Sequence, residues 1–229
     1  MTSTSIGTRS SQEAWLNDAF TKMFAIMGGG LLLTAGAAVL TAAFPAFQAL
    51  LLATSLKWVV IFAPLVMVLI MGFGYEKLSA NSLRTLFVAF SLVNGLSLSA
   101  IIVVYSVSSI VLSLIGASGL FLGMALYGYL TKKDLTSWGS ILFVGLIVLL
   151  VVMIINLFLG STLLEMAISV AGILLFMALT AFDVQKLRDQ LWMEPTAEKA
   201  VIMGALTLYL DFLNLFLFVL RLFGVKTKD

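Results

Sequence analysis

Two aspartates stand in stretches otherwise composed like the interior of a lipid bilayer. Asp183 lies in Leu179-Thr-Ala-Phe-Asp-Val-Gln-Lys-Leu-Arg188, and Asp211 in Leu206-Thr-Leu-Tyr-Leu-Asp-Phe-Leu-Asn-Leu-Phe216. An ionisable group within a membrane helix costs about 2.5–3.5 kcal/mol on insertion scales, so each such residue marks a candidate site. If the two acids meet, they cannot both stay ionised in a low dielectric, and the pair holds one proton. With that proton the pair is a hydrogen bond tying two helices. Without it the pair repels itself and presents an anionic mouth to cations. Thr180, one turn from Asp183, and Asn214, one turn from Asp211, offer neutral oxygens to a hard cation such as calcium. Plainer uses stand beside this one: Asp183 can cap its helix or pair with Lys186 or Arg188, and Asp211 can take a structural hydrogen bond from Tyr209, Asn94 or Asn156. Lys77 and Arg84 fit membrane-edge anchors or a counter-charge to the acids. Glu165 and Arg221 fall at helix ends, where side chains snorkel toward water.

The composition narrows the chemistry further. With no cysteine and no histidine in 229 residues, disulfides, thiolate metal sites, Ser-His and Cys-His pairs and HExxH zinc sites are excluded. Any pH response between 5 and 8 then falls to a carboxylate. No phosphate loop is present, and the Gly-x-Gly-Asp context of intramembrane aspartyl proteases is missing around both acids, so the chain is expected to be no enzyme and to carry no cofactor. The net charge of +2 is dispersed, which disfavours nucleic acid and leaves lipid and other membrane proteins as partners.

Hydrophobic residues make up 62% of the chain and charged residues 10%, a balance that cannot cover a globule in water. The elements positioning the acids are therefore expected to be spanning helices, each needing roughly 20 apolar residues. Charges and breakers place them at about Met23 to Phe44, Trp58 to Tyr75 around Pro64, Leu86 to Tyr105, Ile110 to Leu130, Gly139 to Leu159, Glu165 to Val184 and Ala200 to Phe223, with Pro45 marking the first loop. The uncharged run from Thr85 to Thr131 must turn back on itself, at Tyr105-Ser-Val-Ser-Ser109. Residues 1–22 read as a flexible cytoplasmic tail without the apolar stretch of a signal peptide, 23–223 as the membrane domain, and 224–229 as a short tail. Gln185 to Lys199 reads as a hydrophilic connection. Gly28-Gly-Gly30 and the pair Gly119 and Gly123 are candidate sites of close helix approach, with a dimer interface as the alternative for the pair. Trp58, Trp138 and Trp192 border the spans as interfacial residues do.

Lys and Arg favour the cytoplasmic side of short loops. With the N-terminus inside, Arg9, Lys22, Lys77, Arg84, Lys132, Lys133, Lys186, Arg188 and Lys199 all fall inside, and Lys57 alone falls in an outer loop. Arg221, Lys226 and Lys228 are the exception. Seven full crossings place them outside, and a last segment that re-enters and returns places them inside.

Four segments in order, Gly95-Leu-Ser-Leu-Ser99, Tyr127-Gly-Tyr-Leu-Thr-Lys-Lys-Asp-Leu-Thr136, and those around Asp183 and Asp211, resemble the Bax-inhibitor (transmembrane Bax inhibitor motif) family, in particular its bacterial inner-membrane branch. The resemblance implies an all-α bundle of seven spans with the last lying centrally, and a pH-sensitive cation leak, chiefly of calcium, down its gradient. It places the family's paired aspartates on Asp183 and Asp211 and a basic partner on Lys77 or Arg84. The acidic residue some members carry in the second span is missing from Ile61 to Phe73. The tail Val225-Lys-Thr-Lys-Asp229 is weakly basic, as in bacterial members. The family also permits a regulatory protein that restrains a membrane protease or a cell-death factor by helix contacts, and a proton-coupled transporter is a further alternative.

Overall fold

A computed structural model describes residues 3–193 and 198–227, with side chains from residue 11 onward. Eight α-helices follow in order: α1 (Ser3–Ala43), α2 (Pro45–Ala53), α3 (Leu56–Phe73), α4 (Ala80–Val104), α5 (Val107–Leu130), α6 (Trp138–Leu159), α7 (Thr162–Met193) and α8 (Glu198–Phe223). Seven of them, all but α2, are long and apolar enough to cross a bilayer. The chain is thus an all-α, multi-pass membrane protein. The expected positions Arg9, as a side chain, and Lys228 lie outside the described residues, as does 194–197 of the α7–α8 connection.

The boundaries differ from the sequence reading where hydropathy is a poor guide. The segment read as a tail is helical from Ser3 and continuous with the first span. Pro45 does not open a bare loop. It occupies the first turn of the nine-residue α2, where a missing N–H costs nothing and the fixed φ suits a helix. Pro64 sits within α3, which remains helical. The turn between α4 and α5 falls where expected, because Ser106 caps α5 with a side chain that accepts from the Ser109 amide. The greatest change is in α7, which continues nine residues past Val184. Its buried positions Val184, Leu187 and Leu191 recur at helical spacing while Lys186, Asp189 and Gln190 are exposed. That amphipathic stripe propagates a helix through a stretch that mean polarity marks as a loop.

The last segment has no break at which it could turn back. α8 is one continuous helix of 26 residues, about 39 Å at 1.5 Å per residue, which exceeds the ~30 Å hydrocarbon thickness. Burial is concentrated there: 72% of its most apolar window is buried, against 11–28% for the other six spans.

The chain divides into two units. The first comprises Met1–Val104 and Gln190–Tyr209, the second Tyr105–Asp189 and Leu210–Asp229. In the first, α1 packs along α4 and α4 along α3. Gly95 lets α4 close on α1: a Cβ there would meet the Thr34 carbonyl and stand 2.6 Å from the Ala37 Cβ. Gly30 likewise faces the Phe87 ring at 2.6 Å. In the second unit Gly172 of α7 seats the Phe218 ring, at 2.6 Å from a would-be Cβ. The C-terminal segment folds back so that Ser106 N–H donates to the Val225 carbonyl (3.1 Å) and Val225 N–H to Ser109 Oγ (2.9 Å). The expected close approach at Gly119 and Gly123 is not made; a Cβ at either meets no atom within 4 Å, and the same holds for Gly28 and Gly29.

Candidate functional site

Asp183 comes from the C-terminal half of α7, and Asp211 from the middle of α8. Both belong to the second unit. Glycines fix the stretch of α7 that carries Asp183. On α5, Gly128 presents bare backbone to the Ala181 carbonyl, and a Cβ would drive into that carbonyl. On α6, Gly139 lies 2.9 Å from the Phe182 ring by the same measure. Backbone contact of this kind is how helices adhere in lipid, where apolar surface alone supplies no preference. The motif Tyr127-Gly-Tyr therefore positions the residue next to the acid.

The two carboxyls lie near enough to act on each other. Asp211 is 5% exposed and its Oδ2 has no hydrogen-bond partner. A buried carboxylate oxygen without a donor is costly. A neighbouring carboxyl supplies a donor only when one of the two is protonated.

The neutral partners expected for Asp211 are committed elsewhere. Tyr209, 0% exposed, shares a hydrogen bond with Thr34 Oγ1 (2.7 Å) and accepts one from Asn94 Nδ2 (3.0 Å). Thr34 also reaches the Gly30 and Ser91 carbonyls at 2.9 and 2.8 Å. Tyr209 and Asp211 are two apart on a helix, about 200° around its axis, so one face cannot hold both. These residues form a polar cluster of the first unit, and Thr34, which the sequence reading passed over, is its hub. Asn156 Oδ1 accepts from the Ser161 amide at the end of α6.

Thr180 is fully buried and its hydroxyl donates to the Phe176 carbonyl (2.7 Å); Asn214 Nδ2 donates to the Leu210 carbonyl (2.8 Å). Each keeps an oxygen free to accept one turn from an acid. Among the described residues no group of three or more Asp, Glu, His or Cys comes together to hold a metal ion.

Arg84 pairs with Glu198 at 2.8 Å, both largely exposed, and Lys77 is exposed at the end of the α3–α4 turn. The cation that acts on Asp183 is Lys186, whose ammonium lies 5.9 Å from the Phe182 ring centre. Arg188 pairs with Asp189 and donates to the Tyr129 carbonyl (2.7 Å).

Sequence reasoning missed Gln185. It is 4% exposed, accepts from the Leu135 amide (2.7 Å) and donates to the Lys133 carbonyl (2.8 Å), clamping the α5–α6 loop onto α7 two residues from Asp183. Its signal was present: an amide on the buried stripe of an amphipathic helix needs partners, and the loop backbone supplies both. In that loop the exposed Asp134 accepts from the Thr136 amide (2.8 Å). Hydrogen bonds from the Thr136 hydroxyl and amide hold its carboxyl below the ordinary range.

Seven helices long and apolar enough to span, with one acid in each of the last two, define a multi-pass helical membrane protein. The chain belongs to the family described as Inhibitor of apoptosis-promoting Bax1, whose model matches residues 16–228. It is 39% identical over 217 residues to the inner membrane protein YbhL of Escherichia coli, covering 92% of this chain and 93% of that one. An uncharacterised protein of Borreliella burgdorferi is 35% identical over 228 residues, with 97% and 98% covered. One of Rickettsia prowazekii is 37% identical over 206 residues, with 89% and 87% covered.

Proposed function

We propose that this chain is a passive, pH-responsive cation leak of a bacterial inner membrane, permeable chiefly to calcium, with the N-terminus cytoplasmic and the Asp183 and Asp211 carboxyls as its gate. The observation that carries the reading is the buried, partnerless Oδ2 of Asp211 beside the Asp183 carboxyl. A purely structural acid would have found donors. One bridging proton satisfies the pair and ties α7 to α8; its loss leaves two like charges in contact, parts the helices and exposes acidic oxygens to an entering cation. Lys186, one turn on from Asp183, tunes that balance, and Lys77 or Arg84 is the further candidate counter-charge. The inner-membrane assignment rests on YbhL, and the orientation on the basic loops. No catalytic group and no resident cofactor are assigned. Calcium and protons are the ions handled.

Purified protein in vesicles loaded with a calcium indicator tests this. Influx is severalfold greater at pH 8 than at pH 6, and Asp211→Asn, which keeps a neutral hydrogen bond between the helices, removes the pH dependence. Flux that is flat between pH 6 and 8 and unchanged in both Asp183→Asn and Asp211→Asn defeats the gate.

The family's description as an inhibitor favours a second reading, regulation of a membrane protein by helix contacts. It expects a stoichiometric partner on crosslinking and function that survives loss of flux. A proton-coupled transporter is separated from both by a requirement for a co-transported substrate.

A further inference from the structure

The second unit holds a cleft of about 790 Å³ between the start of α5, the middle of α7 and the end of α8. Its walls change character along its length. One end is formed by Ser106, Ser108 and Ser109 at the N-terminus of the 24-residue α5, and the other by Gly116, Leu120 and Leu174. The serines at the rim are largely satisfied: Ser106 Oγ donates to Ser109 Oγ (2.9 Å), and Ser109 Oγ accepts from the Val225 amide. Ser113, one turn deeper, differs. It lines the cleft at 4% exposure, and its hydroxyl has no hydrogen-bond partner among the described residues. A hydroxyl at the junction of a polar rim and an apolar trough is placed to donate to a group that is itself a junction, such as the ester carbonyl between a headgroup and an acyl chain. The basic residues of this end are Arg221 and Lys226; Lys226 follows the wall residue Val225 and bridges to Tyr105. Cationic side chains beside a helix N-terminus complement a phosphate.

We propose that this cleft is a binding site for one anionic phospholipid of the surrounding leaflet. The phosphate lies at the α5 N-terminus near Lys226, an ester carbonyl accepts from Ser113, and one acyl chain runs along Gly116, Leu120 and Leu174. The glycine makes the trough: a Cβ at Gly116 meets only Val219, at 3.8 Å, so a larger side chain there projects into the cleft without displacing the backbone.

The test uses the full chain in nanodiscs containing a small fraction of phosphatidylglycerol with a diazirine in one acyl chain. After irradiation and digestion, the expected adducts concentrate on 113–120 and 173–174, severalfold above those on the exposed face of α6 at Ile141 and Val144. Gly116→Leu abolishes that excess. Gly36→Leu, equally free of contacts in the first unit, leaves it intact. Ser113→Ala, which removes only the hydroxyl, lowers the number of phosphatidylglycerol molecules retained in native mass spectra. Labelling at 113–120 no greater than on α6, or undiminished in Gly116→Leu, overturns the site. Equal labelling by a diazirine fatty acid or by phosphatidylcholine overturns the headgroup assignment, and crosslinks from this cleft to a second copy of the chain overturn the lipid.

Discussion

At Asp211 and Tyr209, two residues apart on one helix, burial has opposite meanings. Tyr209 has Thr34 and Asn94 about its hydroxyl and the Phe87 and Phe90 rings edge-on at 5.7 and 5.3 Å. The Tyr209 hydroxyl is fully used. Asp211 is as deeply placed and leaves an oxygen unpaired. Substitutions should separate the two. Tyr209→Phe keeps the ring, strands Asn94 Nδ2, and is expected to lower stability by about 0.5–2 kcal/mol. Asp211→Leu removes a buried carboxyl for an apolar group of similar size and is expected to be neutral or stabilising, as replacements of buried charge often are. Thermal unfolding in detergent checks the pair. An Asp211→Leu protein that melts well below Tyr209→Phe would make the acid a structural element. The sequence showed that Asp211 was out of place, since an acid amid leucines and phenylalanines is visible by type alone. It did not show that Tyr209 and Asn94 bond to each other, because that depends on the helix phase and on Thr34, 175 residues distant from Tyr209.

Glycines illustrate at the scale of the element what a sequence withholds. Gly119 and Gly123 carry the spacing associated with helix contact and touch nothing, whereas Gly128, with no such partner in register, meets α7 backbone to backbone beside Asp183. Spacing names a stripe of small residues; which neighbour it faces is a tertiary fact. Gly128→Ala should therefore cost about 1–3 kcal/mol as overpacking against the Ala181 carbonyl, while Gly119→Ala should cost almost nothing. A comparison of melting temperatures in one detergent decides it, and equal losses at the two positions would refute the close approach of α5 and α7. The seven spans themselves were legible, because runs of uncharged residues and the Ser106 cap are local signals. The nine extra residues of α7 were obscured by averaging polarity over a stretch whose apolar stripe, Val184, Leu187 and Leu191, continues unbroken. That extension matters to the site, since Gln185 and Arg188 on it grip the loop 131–137.

Across the whole molecule, the number of crossings fixes which end of α8 faces which compartment. An even number of spans returns the chain to the side it left, and the fold carries an internal check on that count in its last four. The segment after α8 hydrogen-bonds to the α4–α5 turn, at Ser106 and Ser109, as the four spans α5 to α8 between them require. In the proposed orientation the basic residues of the other set of loops, Lys77, Lys132, Lys133 and Lys199 among them, face the cytoplasm, and Arg221 and Lys226 are a minority on the far side. Because the chain contains no cysteine, single substitutions report position without background. In intact cells a membrane-impermeant maleimide should label Thr227→Cys and leave Lys77→Cys unlabelled until the membrane is permeabilised. The reverse pattern would invert the orientation and put the Asp183 end of α7 toward the outer compartment. Labelling of both in intact cells would require an even number of crossings, which a continuous 26-residue α8 cannot satisfy.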